Sequence, residues 1–292
     1  MSAVLDTIDW ARMAEPQDDQ YDTRVTLALA TTGGSPLRPE PYVRRSSAGL
    51  PTIPGTDVAL RYLDQRELAP PRFALAPPDH PNLPKALAYL RRWPAAYEQF
   101  LALIDSVHAC VDPTIPPEMR VLASGSCSHS HEQWFGTICV TVDDPIGCAQ
   151  AFVHEMAHQK LRALGVSVES AWRLVTNDPG ELFPSPIRIG VARPMTAVLH
   201  AQYSFIYIVE LDLRMLAEER DPAIRERMLQ LLMRNVVRME AGHDTLARNV
   251  RTDDAGARFL DAFLAWSLRA IEAGYDTLDR NGYETRIGGH AA

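Results

Sequence analysis

Apolar and polar positions change rhythm several times along the chain. Between residues 136 and 142 they alternate, with Ile138, Val140 and Val142 on one side, and the run stops at Asp143-Asp144-Pro145. Period two ending in a turn signal predicts a strand. The segment that follows, Ala149-Gln-Ala-Phe-Val-His154-Glu155-Met-Ala-His158-Gln-Lys-Leu161, reads as a helix. Further upstream, Leu87, Leu90, Trp93, Tyr97, Phe100 and Leu101 fall at helical spacing from Leu83 onward, and Pro94 is expected to kink that helix. In the C-terminal third, Ile224, Met228, Leu231, Leu232, Asn235, Val236 and Met239 follow a three-four spacing. Phe259, Phe263, Trp266, Leu268 and Ile271 repeat it. Both stripes predict amphipathic helices whose apolar faces form core.

Proline sharpens this division. Twelve of the 22 prolines fall within the first 84 residues. Each removes a backbone donor and restricts its predecessor, so this part should hold strands and wrapping loops with few long helices. Residues 1–80 are therefore expected to form an irregular Pro-rich N-terminal arm or layer, and residues 81–292 a mainly helical catalytic domain. The fold class expected is α+β, mainly helical, with the motif helix beside a short sheet. Pro194 is placed at the first position of a later helix, where its fixed φ and missing N–H are suitable. The tail, residues 288–292, is expected to fray.

The helix after the strand carries His154-Glu155-x-x-His158. Histidines at i and i+4 stand on one helical face, so both imidazoles can reach one divalent metal, with Glu155 beside them. Two histidines do not complete a site. After His158 the chain reads Gln-Lys-Leu-Arg-Ala-Leu-Gly165, without the H-x-x-G-x-x-H continuation of metzincins. The next histidine is His200, on the helix opened by Pro194, and Glu210 is the carboxylate alternative further along it. His129 and His131, in the Ser/His-rich connection that also holds Ser126 and Ser128, alternate correctly for one strand face and form a second possible pair. Trp134 and Tyr203 are aromatic residues that would shape a pocket. Arg188 and Arg193 stand in a Pro-stiffened segment just before the His200 helix, where a planar guanidinium would grip a carboxylate bidentately.

Composition narrows the partners. The 292 residues carry a net charge of -8, with no dense Lys/Arg block. Nucleic acid is therefore an unsuitable partner. No apolar run reaches the length of a membrane span, and residues 1–10 lack a basic n-region and an apolar h-region, so a cytoplasmic location is expected. Cys110, Cys127, Cys139 and Cys148 form no C-x-x-C and are expected to be reduced, with Cys139 and Cys148 acting as small buried hydrophobes.

Taken together, His154-Glu-x-x-His158, Leu182-Phe-Pro-Ser-Pro186-Ile-Arg188, Arg193-Pro194 and Val198-Leu199-His200-Ala-Gln-Tyr203 resemble the H-E-x-x-H family of peptide-modification proteins. That family accompanies ribosomally made, post-translationally modified peptides. The likeness runs from about Ser124 to about Asp212, with Ala201 where the family usually has Gly. It implies an iron(II)- and 2-oxoglutarate-dependent oxygenase that uses O2 to hydroxylate an unactivated carbon, commonly a β-carbon. The substrate would be a residue of a precursor peptide or an amino acid. The resemblance also implies His154, His158 and His200 as metal ligands. Arg188 or Arg193 suits the distal carboxylate of the keto acid. Glu155 then orients ligands through hydrogen bonds, whereas in a zinc metallopeptidase, the alternative reading, it would be the general base.

Overall fold

The computed structural model describes residues 5, 7–32, 40–61, 73–114, 127–188 and 190–284. Ser126 and residues 288–292 lie outside them. The architecture is α+β and mainly helical, with a short sheet against which the motif helix packs. At the centre of the sheet, β3 (Ser106–Val111) and β5 (Thr137–Thr141) run parallel, in register from Ser106 with Thr137 to Cys110 with Thr141. Two short strands share the outer edge of β3: β1 (Ala59–Leu60) is parallel to it and β2 (Ala74–Leu75) antiparallel. On the far side, β4 (Ser128–His129) pairs antiparallel with β5.

The alternation along β5 does not divide core from solvent, because all five residues are buried. The polar side is satisfied internally. Thr137 Oγ1 meets Ser106 Oγ at 2.9 Å, and Thr141 Oγ1 accepts from the Cys127 N–H at 2.9 Å. Buried hydroxyls with partners cost little, so both faces of β5 are buried without penalty.

Around the sheet lie α1 (Tyr21–Thr32), α2 (Asn82–Leu90), α3 (Pro94–Leu103), α4 (Pro145–Leu164), α5 (Met195–Glu218), α6 (Pro222–Asn249) and α7 (Asp254–Arg280). Pro94 ends one helix and begins another where a kink was expected. The residue before a proline is pushed out of the α region, and Trp93 sits at φ -123°, ψ 83°, between α2 and α3. Pro194 likewise stands one position earlier than expected. It closes β7 (Ala192–Pro194), which pairs with β6 (Leu182–Pro184), and α5 starts at Met195. Leu268 is 45% exposed, unlike its neighbours in the stripe, because it lies two residues from Trp266 and so on nearly the opposite side of α7.

One apolar core runs from Ile8 to Leu278 and includes residues of the Pro-rich first part. That part contributes α1, whose buried face is Asp22, Thr23, Thr26 and Ala30. Asp22 pairs with Lys160 of α4 at 2.5 Å, both side chains fully buried, and Lys160 also donates to the Tyr207 hydroxyl. Gln99 of α3 donates to Asp22 and Thr23 and accepts from Tyr207. This polar knot fixes the back of α4 two residues beyond His158. Cys139 and Cys148 are buried, and none of the four cysteines forms a disulfide. No described helix is long and apolar enough to cross a membrane.

Candidate metal centre and its cavity

Helix α4 is bounded by strong signals. Asp144 caps its start, accepting from the N–H groups of Ile146 and Gly147, with Pro145 at the first turn. Arg227 of α6 holds the same carboxylate at 2.5 Å. The helix stops at Gly165, whose φ of +106° is left-handed. A Cβ there would meet that of Arg173 at 2.9 Å, so glycine is required twice over.

That reversal has a consequence for the site. It turns the Val166 carbonyl toward α5, where His200 Nε2–H donates to it at 2.9 Å. His200 is thereby held with Nδ1 as its lone-pair nitrogen, facing His158 Nδ1 at 2.9 Å. On its other side His158 Nε2 faces His154 Nε2 at 3.1 Å. Two metal–nitrogen bonds of about 2.1 Å meeting at right to tetrahedral angles would span roughly 3.0–3.4 Å, so the gap between His154 and His158 suits a cation, while His200 meets the opposite nitrogen of the His158 ring. Ligand atoms of His154, Glu155 and His158 all lie within 4.8 Å of one another, a group that could hold a metal ion, with His200 one ring behind. His154 Nδ1 is buried without a partner, and the ring meets Phe205 edge to face at 5.2 Å.

Burial keeps these rings uncharged. It lowers the proton affinity of His154, drives that of His158 well below the ordinary value, and takes His200 down to about 3. Neutral imidazoles offer lone pairs and no charge, as a divalent metal requires. The residues present therefore fit a metal ion.

The cluster opens into a cavity of about 350 Å³ that also receives His129, Arg162, Arg188 and Arg193. Arg193 pairs with Glu169 at 3.1 Å at the surface, and Arg188 is exposed. Arg162 differs. It follows His158 by one helical turn, so His154, His158 and Arg162 share one face of α4. Its guanidinium is part-buried, donates only to the Ser130 hydroxyl and carbonyl at 2.9 and 3.1 Å, and leaves Nε without a partner. Desolvation lowers its pKa, although Glu155 and Glu132 oppose this, and no described carboxylate reaches it as an ion pair. The i, i+4, i+8 spacing was the sequence signal that could have singled Arg162 out.

Other expected residues fall elsewhere. Glu210 pairs with Arg214 at 2.8 Å, Tyr203 is buried in the aromatic core beside Phe263 and Trp266, and His131 stacks near Trp134 outside the cavity. Fold and site together define a mainly helical α+β protein with a candidate divalent-metal centre. Compared with protein-family models and with curated proteins, the chain matches none.

Proposed function

We propose that this protein is an iron(II)- and 2-oxoglutarate-dependent oxygenase that hydroxylates a carbon of a peptide residue or amino acid. The observation that carries the reading is the pairing of neutral histidines with guanidiniums in one cavity, including an Arg162 that lacks a carboxylate partner. Such a wall attracts a dianion. Bound iron(II) would supply the chemistry by which one atom of O2 enters a substrate C–H bond as hydroxyl, while the other enters succinate as 2-oxoglutarate loses carbon dioxide.

The chain's own groups would do the rest. His154 and His158 supply two donors, and His200 would be the third once its Nδ1, which here meets His158 Nδ1, turns to the metal. Three uncharged ligands leave the metal its full charge for an anionic co-substrate. Arg162, Arg188 or Arg193 would grip the distal carboxylate. Val168, Ile187, Ala197 and Phe205 line the same cavity and keep water from the reacting carbon. Glu155 orients ligands beside His154, 3.9 Å from its Nε2.

Glu155 also supports a second reading. A buried carboxylate within the ligand group is where a zinc peptidase needs its general base. Anaerobic titration separates the two. A visible charge-transfer band on adding 2-oxoglutarate to the iron(II)-loaded protein is expected from the oxygenase. Absence of the band, with zinc-dependent peptide cleavage abolished by Glu155→Gln, would establish the peptidase instead.

A further inference from the structure

A second cavity, of about 330 Å³, adjoins the first and shares Ser128, His154, Ile187 and Phe205 with it. His154 thus stands in the wall between two chambers. The second chamber runs along Gly147, Gln150 and Ala151 of α4 toward α6, away from Arg162, Arg188 and Arg193, which it does not touch. Its floor is polar in an otherwise apolar setting. Asn235 interrupts the core stripe of α6; it is 1% exposed, and its Oδ1 has no partner. Beside it, the part-buried Arg234 has a buried Nε without a partner. A buried acceptor left unmet costs about as much as a lost hydrogen bond, and so does a donor. Both groups line this chamber.

Behind the floor lies the buried Asp212 carboxyl, with one oxygen engaged and the other, Oδ2, without a partner. Gln150 Nε2 donates to the buried Asp212 Oδ1 at 2.7 Å, and the Asn235 amide favours the charged form of the same carboxyl. The Asn235 oxygen itself is left as an unmet acceptor. The apolar walls come from Ala151, Phe205 and Ile208. An acceptor next to a guanidinium donor, at the end of an apolar slot, is complementary to a group that presents an N–H beside a C=O.

We propose that this second chamber is the substrate subsite and takes a side chain ending in a primary carboxamide, a glutamine or asparagine residue of a peptide. Asn235 Oδ1 accepts the amide N–H, Arg234 donates to the amide C=O, and Ala151, Phe205 and Ile208 hold the methylenes. The volume is at the small end for a ligand pocket and fits one side chain. A carboxylate would satisfy Arg234 but set its charge against the Asn235 oxygen, and a lysine would do the reverse. The assignment of a substrate role rests on the oxygenase reading; the binding specificity does not.

The test uses acetyl-Gly-Gln-Gly-amide and its Glu, Met and Lys counterparts, titrated calorimetrically into the full chain, metal-free and loaded anaerobically with iron(II) and 2-oxoglutarate. The Gln peptide should bind about tenfold more tightly than the others, as loss of one hydrogen bond to a buried group predicts. Asn235→Leu and Arg234→Met should each erase that preference and leave the Met peptide and iron stoichiometry unmoved. Arg234 is only part-buried, so its variant decides the matter if Asn235→Leu melts early. Tightest binding of the Glu peptide, or a Gln preference untouched by Arg234→Met, overturns the subsite. If the Gln preference stands while 2-oxoglutarate fails to bind, the oxygenase reading falls and the subsite survives.

Discussion

Arg162 separates a ligand site from a structural prop, because the two roles move stability and affinity in different directions. Arg162→Met keeps most of the side-chain volume and removes the charge. If the guanidinium holds the distal carboxylate of 2-oxoglutarate, its loss deletes a charge-assisted contact of about 1.5–3 kcal/mol, or roughly a ten- to hundredfold rise in Kd. The metal-free fold should barely notice. Two bonds to Ser130 disappear, each about 0.5–1.5 kcal/mol, while the cost of a desolvated guanidinium without a carboxylate partner disappears with them. These terms oppose one another, so the midpoint of thermal unfolding should stay within a few degrees of the parent. Iron stoichiometry should be unchanged, since His158 and His154 are about one and two turns away. Arg162→Lys should recover part of the affinity, as an ammonium cannot reproduce the planar fork. Calorimetric titration of 2-oxoglutarate into the anaerobic iron protein, with melting of the metal-free form, gives both readouts. A melting point lowered by many degrees with unchanged 2-oxoglutarate affinity would refute the assignment, and Arg188 and Arg193 would then carry it.

Three further outcomes are expected. His154→Ala and His158→Ala should each abolish stoichiometric metal binding measured by elemental analysis after gel filtration, and His200→Ala should do the same; retention of metal and turnover by His200→Ala would leave that residue as a prop for His158. Asp22→Asn leaves Lys160 charged in a fully buried position and should cost about 3–5 kcal/mol in urea denaturation, whereas the double change with Lys160→Met should recover much of it. Burial lifts the Asp212 carboxyl from 3.8 to about 7, so the folded state holds this proton more tightly than the unfolded one. Its stabilisation is complete below about pH 4 and is lost as pH rises through 7, so the stability of the parent relative to Asp212→Asn should fall over that window and level off above it, and a flat difference would show the carboxyl to be unperturbed.

Legibility followed the apolar pattern and failed where polar groups are buried. The strand, the turn and α4 were readable because β5 alternates, Asp144-Pro145 starts the helix and Gly165 ends it. His154 and His158 were readable from a fixed spacing on that helix. Helix α1 was not, because its buried residues are Asp22, Thr23, Thr26 and Ala30, while Tyr21, Val25, Leu27 and Leu29 are only partly buried against the core, so no clear apolar stripe marks its inner face. No sequence rule predicts that Lys160, 138 positions later, will wait there for Asp22. Arg162 is marked in the sequence only by its i+8 spacing from His154; contact with Ser130 and the cavity is what separates it from the other lysines and arginines.

These exceptions are not scattered. Lys160 fixes the back of α4 two residues after His158, and Gly165 turns the Val166 carbonyl onto His200. Arg162 faces the cavity on the same helical face as the motif, and Asn235 breaks the α6 stripe at the adjoining chamber. A chain that buried these polar groups only for stability would do better with apolar residues of similar volume, since desolvating a charge costs more than most pairs return. Their concentration around one helix instead suits a demand for positional precision. The back of α4 must not rotate, because a turn of the helix by a single residue would carry His154 and His158 about 100° away from His200. The buried Asp22–Lys160 pair opposes that rotation in a way an oily contact could not, since sliding would leave two unpaired charges in the core. On this argument the double change Asp22→Leu with Lys160→Met should match or exceed the parent in unfolding free energy, yet bind metal more weakly. Equal metal affinity in that variant would show that apolar packing alone sets the register of the motif helix.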